Sequence, residues 1–228
     1  MKNLKGKNIL VTSGGTQEYI DDVRILTNVS SGKLGAMIAD QLTKDGANVY
    51  YIHGKGATMP QVSPKGAISV RSAMDAMEAM KTVVTEGDIH AVVHAMAVSD
   101  FTFKRSKSVK CKSSDPQAFI EYMRQTITVN PKIISMIKDW KEDLILIGFK
   151  FEVGASLATL VSLAMKSIKT NRCDMVVVND KKEMEKKKEH VARFIVPVSD
   201  LKNGSRVVAF TGKSEIARGI KKYLRVVL

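Results

Sequence analysis

Two short stretches of this chain carry residue types suited to holding an anion. In SGGTQE (13–18), Gly14 and Gly15 let backbone N–H groups come close to a negative group, and Thr16 adds a hydroxyl. In NVSSGKLG (28–35), Ser30, Ser31, Gly32 and Lys33 run straight into a segment with helical apolar spacing. The free N–H groups and positive dipole end of such a helix favour phosphate. Ser30 or Ser31 would serve equally well as nothing more than the cap of that helix. A third candidate is Asp100, just past an apolar run in HAMAVSDF (94–101). A carboxylate there can accept hydrogen bonds from an amino group or a ribose, or hold a metal; solvating a loop is the plainer role. The lysines of KSVKCK (107–112) could cover phosphates from a loop, although most lysine runs are simply hydrated.

No side-chain nucleophile with its own base is evident. There is no G-x-S-x-G, the four histidines (53, 90, 94 and 190) have no metal-ligand spacing, and Cys111 and Cys173 lie far apart. Cys111, between Lys110 and Lys112, could have a lowered thiol pKa, but basic neighbours are common in loops. The expected chemistry is therefore positioning and charge neutralisation, as in phosphoryl or nucleotidyl transfer. The G-x-x-x-x-G-K-[ST] spacing of a P-loop is missing. The net charge of +13 points to an anionic partner, a nucleic acid or a phosphorylated small molecule. A nucleic-acid binder is the poorer fit, because no aromatic-basic signature of an RNA-binding sheet appears. An NAD(P)-dependent reductase is also disfavoured: its G-x-G-x-x-G after the first strand and its acidic residue after the second are replaced by SGGTQE and IHGKG. The N-terminus passes from basic residues into an apolar strand, and no apolar run approaches the roughly 18 residues of a membrane span. A cytoplasmic protein with reduced thiols is expected, with neither membrane nor nucleic acid as partner.

The elements that must position these groups alternate along the chain. Strands are predicted at 7–12, 47–54, 88–95, 144–149 and 174–180, with a short one in AISV. Helices are predicted at 33–46, 72–87 with Ser72 as cap, 130–143 with Asn130 as cap and Pro131 at its first position, 155–173, and 212–228 with Ser214 as cap. Met74, Met77 and Met80 form a stripe that reads as core. Residues 118–129 read as extended and 190–200 as an antiparallel edge or hairpin. Five buried strands interleaved with helices give a single α/β domain over 1–228, a Rossmann-like three-layer fold with a mostly parallel central sheet. Such sheets bind ligands at the carboxyl ends of their strands. That points to Ser13–Thr16, His94–Asp100, Gly148–Glu152 and Asn179–Lys182. One feature is unusual for a dinucleotide fold. About 17 residues separate Gly15 from the helix at Gly32, where roughly six would suffice.

The run ILVTSGGTQEYIDDVRILTNVSSGKLG resembles the opening of the phosphopantothenate–cysteine ligase (phosphopantothenoylcysteine synthetase) family. Further resemblances follow in order: AMAVSDF, KSVKCKSSD, VNPKIISMI, LIGFKFE and CDMVVVND, so that the likeness covers essentially the whole chain. The resemblance implies a coenzyme A biosynthesis enzyme joining 4′-phosphopantothenate to L-cysteine through an acyl-nucleotide. It implies CTP, with ATP as second choice, and Mg²⁺. By resemblance Gly14, Gly15 and Thr16 face the nucleotide phosphates, and Ser30, Ser31, Gly32 and Lys33 serve the phosphopantothenoyl arm and the second step. Asn28 takes the position that binds the acyl-nucleotide carbonyl and Arg24 one needed for turnover. Lys110 matches the loop lysine used to form the acyl-nucleotide, Asp100 a residue near cytosine and ribose, and Phe149 one against the nucleotide. The resemblance further implies a homodimer whose contact strands fall in 181–198, a mobile active-site loop over 101–115, and a free-standing synthetase whose flavin-dependent decarboxylase is a separate protein. Met96, Cys111, Lys150 and Phe151 depart from the family's usual residues.

Overall fold

The structure is a computed structural model and describes residues 3–104, 110–112, 114–198 and 204–228. In chain order the elements are β1 (Asn8–Ser13), β2 (Gln17–Tyr19), β3 (Ile25–Thr27), α1 (Lys33–Thr43), β4 (Asn48–Gly54), β5 (Gly66–Val70), α2 (Ala73–Glu86) and β6 (Ala91–His94). They continue with β7 (Phe101–Phe103), α3 (Pro116–Thr126), β8 (Ile127–Val129), α4 (Ile133–Trp140), β9 (Ile145–Glu152) and α5 (Leu157–Asn171). The chain closes with β10 (Met175–Asp180), α6 (Lys181–Lys187), β11 (Val191–Pro197), β12 (Ser205–Thr211) and α7 (Lys213–Val227).

Eight strands form one sheet in the order β12-β11-β10-β9-β6-β1-β4-β5. The six from β10 to β5 run parallel, and β11 and β12 extend the sheet as an antiparallel pair. From β1 the chain moves outward through β4 and β5, then crosses back to place β6 on the other flank of β1. That reversal opens a crevice at the carboxyl ends of β1 and β6. Period-two alternation splits the core. Leu10, Val92 and Leu146 pack under α2, α4 and α5, while Ile9, Val93 and Ile147 pack under α1 and α7. The expected α/β fold and its five parallel core strands are all present. No helix among the described residues is long and apolar enough to cross a membrane.

The structure corrects several local expectations. Residues 118–129 are mostly helical, not extended. Asp115 caps α3 by accepting from the Ala118 N–H at 2.9 Å, and Pro116 occupies its first turn. Only Ile127–Val129 are extended, pairing with β7. Asn130 does not cap α4. Preceding Pro131 it is steered away from helical backbone, and its buried amide donates to Ser99 O at 3.0 Å. The Met stripe is only partly core: Met80 is buried, but Met74 is exposed. The cap position of α7 is Gly212, at φ +85°, not Ser214. Within 181–198, the first seven residues form α6, capped by Asp180 and supported by Lys181–Glu185 and Lys187–Glu183 pairs. The strand that follows, β11, pairs antiparallel with β12 at the edge of the main sheet. Of the expected loop over 101–115, residues 101–103 are β7, and 105–109 and 113 lie outside the described residues.

Candidate active site

The first wall of the crevice is made by backbone packed against backbone. Gly14 has φ +77°, and a Cβ there would fall 2.5 Å from the Ala57 Cβ. Gly32 has φ +72°, and a Cβ there would sit 2.9 Å from the same methyl and 3.3 Å from the Gly14 nitrogen. These positive φ values and close approaches require glycine. Ser13 Oγ donates to Gly32 O at 2.9 Å and ties the start of α1 to the end of β1. Gly32 itself occupies the cap position of α1, and no side chain caps the helix; Ser31 Oγ only reaches the Lys33 N–H at 3.5 Å. Neither Ser30 nor Ser31 is thus the cap. The uncapped first turn leaves N–H groups and positive dipole at the crevice, an arrangement suited to phosphate. Lys33 is exposed at the same end. Thr16, by contrast, is fully buried. Its Oγ1 accepts from the Ser99 N–H at 2.8 Å, so it braces the crevice from behind and does not face a ligand.

The second wall is the chain leaving β6. Ala97 donates to Gly14 O at 2.8 Å, and Thr16 donates to Ala97 O at 3.2 Å, stitching this segment to the glycine turn. Beyond it a pocket of about 200 Å³ opens between β6 and β9, lined by His94, Ala97, Asp100, Lys132, Phe149 and Phe151 among others. Asp100 and Phe149, assigned to one nucleotide by resemblance, therefore share one cavity. Asp100 pairs with Lys132 at 3.1 Å, both well exposed at the rim. Asn28 is exposed at the edge of the same pocket, its Nδ2 donating to Val98 O at 3.1 Å and Ala97 O at 3.4 Å. Asp100 and Phe149 thus line one pocket, and Asn28 and the glycine turn are bonded to the Ala97–Val98 backbone that forms part of its wall.

Arg24 and Lys110 form a second group, at the far end of the β2–β3 hairpin. Its three-residue strand puts Arg24 about 13 Å along the chain from Asn28. The centre of this group is Asp21, which sequence reasoning passed over. Its buried carboxylate accepts from the Val23 N–H at 2.9 Å, the Arg24 N–H at 2.8 Å and the Cys111 N–H at 3.2 Å, and pairs with the Arg24 guanidinium. Burial pushes the Asp21 pKa up, but the N–H groups of Val23, Cys111 and Arg24 outweigh it and hold the carboxyl below its ordinary value. Arg24 also donates to Cys111 O at 3.1 Å and stacks over Phe119 at 5.1 Å. Lys110 is exposed beside this clamp. Glu18 was missed as well. It is buried and accepts from the Ala73 N–H, at the start of α2, and from the Thr102 hydroxyl, both at 2.7 Å. The signal for Asp21 was the spacing in IDDVR, where an Asp can accept from N–H groups two and three residues on; Glu18 has no local signal, because its partners are 55 and 84 residues away.

Among the described residues no group of three or more His, Cys, Asp or Glu side chains could hold a metal ion. The exposed Lys33 and the N–H groups at the start of α1 suit an anionic ligand.

Comparison with known proteins agrees with this geometry. Residues 4–226 match the family described as DNA/pantothenate metabolism flavoprotein C-terminal domain. The coenzyme A biosynthesis bifunctional protein CoaBC of Thermococcus kodakarensis is 38% identical over 178 residues, covering 78% of this chain and 42% of that protein. The chain thus spans about two fifths of that relative's length. The crystal structure of the DNA/pantothenate metabolism flavoprotein from Streptococcus pneumoniae matches with a TM-score of 0.81 and 29% identity, over 98% of this chain and 100% of that one. The C-terminal domain of a coenzyme A biosynthesis bifunctional protein CoaBC matches with a TM-score of 0.73 and 25% identity, over 100% and 98%. With nearly every residue matched, and the glycine turn, the detour and the crevice in one fold, the chain belongs to the DNA/pantothenate metabolism flavoprotein C-terminal domain family.

Proposed function

We propose that the chain is a phosphopantothenate–cysteine ligase of coenzyme A biosynthesis. It would join 4′-phosphopantothenate to L-cysteine with CTP as the activating nucleotide and ATP as the second choice. The observation that carries this is the set of groups at the β1–β6 reversal, where an uncapped helix start, two glycines that tolerate no side chain and the Asn28 amide lie against the Ala97–Val98 wall of a pocket lined by Asp100 and Phe149. Kinship with coenzyme A biosynthesis proteins supports the same substrates. In the first step the substrate carboxylate attacks the α-phosphorus and pyrophosphate leaves. In the second, the cysteine amine attacks the acyl carbon and nucleoside monophosphate leaves. Both steps build negative charge on oxygen, which N–H groups at the start of α1, the Asn28 amide and Lys110 are suited to neutralise. Asp100 at the rim would accept from ribose or base, and Phe149 would line the nucleotide's pocket. Mg²⁺ would come in on the triphosphate oxygens, in keeping with its habit of binding substrate phosphates more than protein cages. A homodimer belongs to the same proposal, supported by the open edge of β12 with Val207 and Val208 exposed. So does a cytoplasmic setting, supported by two free thiols at Cys111 and Cys173. Association with a decarboxylase also stands as a proposal.

The test is pyrophosphate release with phosphopantothenate and CTP or ATP, with and without cysteine. Release that needs phosphopantothenate, and amide formation that needs cysteine, is expected; silence with every nucleotide would overturn the ligase reading. Asn28→Asp loses the amide donor to the 97–98 carbonyls. It should still release pyrophosphate while amide formation stops.

A further inference from the structure

The mechanism above leaves His94, in the lining of the pocket, without a task. His94 ends β6 at the pocket floor and is only 7% exposed. Its Nδ1 lies 2.8 Å from Thr12 Oγ1. Thr12 is fully buried, and its Oγ1 already accepts from the Met96 N–H at 3.2 Å. The hydroxyl proton of Thr12 then has one acceptor to serve, Nδ1; any other assignment leaves a buried donor unmade, which is costly. With Nδ1 accepting, the proton of the neutral imidazole must sit on Nε2. Nε2 has no hydrogen-bond partner among the described residues. It is also open to the cavity, since the enclosed side-chain atoms without partners among those residues are Thr43 Oγ1 and His190 Nε2. Burial, with the Lys132 charge nearby, pulls the His94 pKa down to about 4, so the ring stays a neutral donor at physiological pH.

The geometry points to His94 as a base-recognition residue: its Nε2–H donates from the pocket floor to an acceptor atom on the edge of the nucleotide's base. This deepens the ligase reading and rests on it for the identity of the nucleotide. Thr12 is the positioning residue, fixing the tautomer from behind. No local spacing marks His94 for this role, because its partner Thr12 lies 82 residues away.

The test separates donor from bulk and base from phosphate. The full chain is titrated calorimetrically with CTP and, separately, with inorganic triphosphate, which has no base. His94→Phe keeps the ring volume and loses the donor; affinity for CTP should fall about fivefold to tenfold, as for one lost neutral hydrogen bond. Affinity for triphosphate should hold. His94→Gln can place an N–H near Nε2 and should recover most of the CTP affinity, whereas His94→Asn reaches only the Nδ1 position and should not. In turnover assays the KM for CTP should rise while the KM for cysteine stays within twofold. Thr12→Val, which removes the tautomer lock without entering the pocket, should weaken CTP binding in the same direction and keeps the test alive if His94→Phe folds poorly. Equal loss for CTP and triphosphate, no loss in any variant, or rescue by Asn in place of Gln would overturn the assignment. A wild-type chain that binds CTP through His94 but releases no pyrophosphate would leave this inference standing and remove the ligase reading.

Discussion

At the scale of single residues, the clamp at Asp21 shows how one buried carboxylate can serve several segments. It gathers N–H groups from its own turn and from Cys111, some 90 residues on, and holds Arg24 between them. Lys110, the residue matched to the first chemical step, is next in the chain to Cys111. Asp21→Asn would set an NH₂ against the donors that Oδ2 now accepts. A stability loss of ~1–3 kcal/mol is expected in denaturant melts, from donors left unmade. Pyrophosphate release should slow with it, while CTP affinity, set in the crevice at the other end of the hairpin, should change little. Because the Asp21 carboxyl titrates below its ordinary value, its contribution is full at neutral pH and is lost only as pH falls below the usual carboxylate range. Wild type and variant should therefore converge in acid. If they stay equally far apart at low pH, the charge is not what holds the clamp.

At the scale of elements, two contacts decide whether the sheet presents a usable crevice. The first is α1 against β1. A Cβ on Gly35 would fall 2.3 Å from Ser13 Oγ and 2.6 Å from its Cβ. Gly35→Ala must push the helix off the strand, costing ~1–3 kcal/mol by overpacking. The same shift moves the uncapped helix start, so the KM for CTP should rise more than the KM for cysteine; equal changes would mean that the helix start does not hold the phosphates. The second is α6 against β11. Arg193 makes a paired contact with Glu183 at 2.6 and 2.8 Å, with both side chains largely enclosed. The Glu183 carboxyl falls from 4.5 to about 2, first through Arg193, against the opposing effect of burial and with help from Lys187. A depressed carboxyl pKa contributes stability above the unfolded value and loses it as pH drops through the folded one. Glu183→Gln should thus lower Tm by roughly 3–6 °C near neutral pH, for a loss of about 1–2 kcal/mol. That gap should close between pH 4.5 and about 2. A gap independent of pH would mean that packing, not charge, joins α6 to the sheet.

At the scale of the whole molecule, the charge of +13 suits the phosphorylated substrates proposed for this chain. Lys33 and Lys110 are exposed, and Lys132 and Lys150 stand 70% and 43% exposed around the pocket. Lys33, Lys132 and Lys150 stand at a crevice proposed to take a triphosphate and a phosphorylated acid, with Lys110 at the other end of the β2–β3 hairpin. Such a field speeds encounter and is screened by salt. The KM for both phosphorylated substrates should rise several-fold between about 50 and 500 mM salt, with kcat nearly constant. A KM insensitive to salt would assign the charge to another role. The six parallel strands also explain why one crevice forms at all. The chain reverses direction across the sheet once, between β5 and β6, and the ends of β1 and β6 are left without a connecting loop over them.

The sequence by itself determined the parallel core strands, the helices between them, and the glycine turn with the serine-rich run before α1. These rest on local periodicity, on caps such as Ser72 with Asp75, and on glycines whose backbone no other residue can adopt. It could not determine which residues meet across the chain. Thr16 turns inward, Asn130 leaves its helix to hold Ser99, and 118–126 coils into a helix, because each is fixed by partners far away in sequence or by a cap whose strength depends on its surroundings. Glu18 and His94 became legible only when folding placed a helix start and a buried hydroxyl around them. A carboxylate or an imidazole acquires its function from the dielectric and the donors that surround it, and those belong to the tertiary structure.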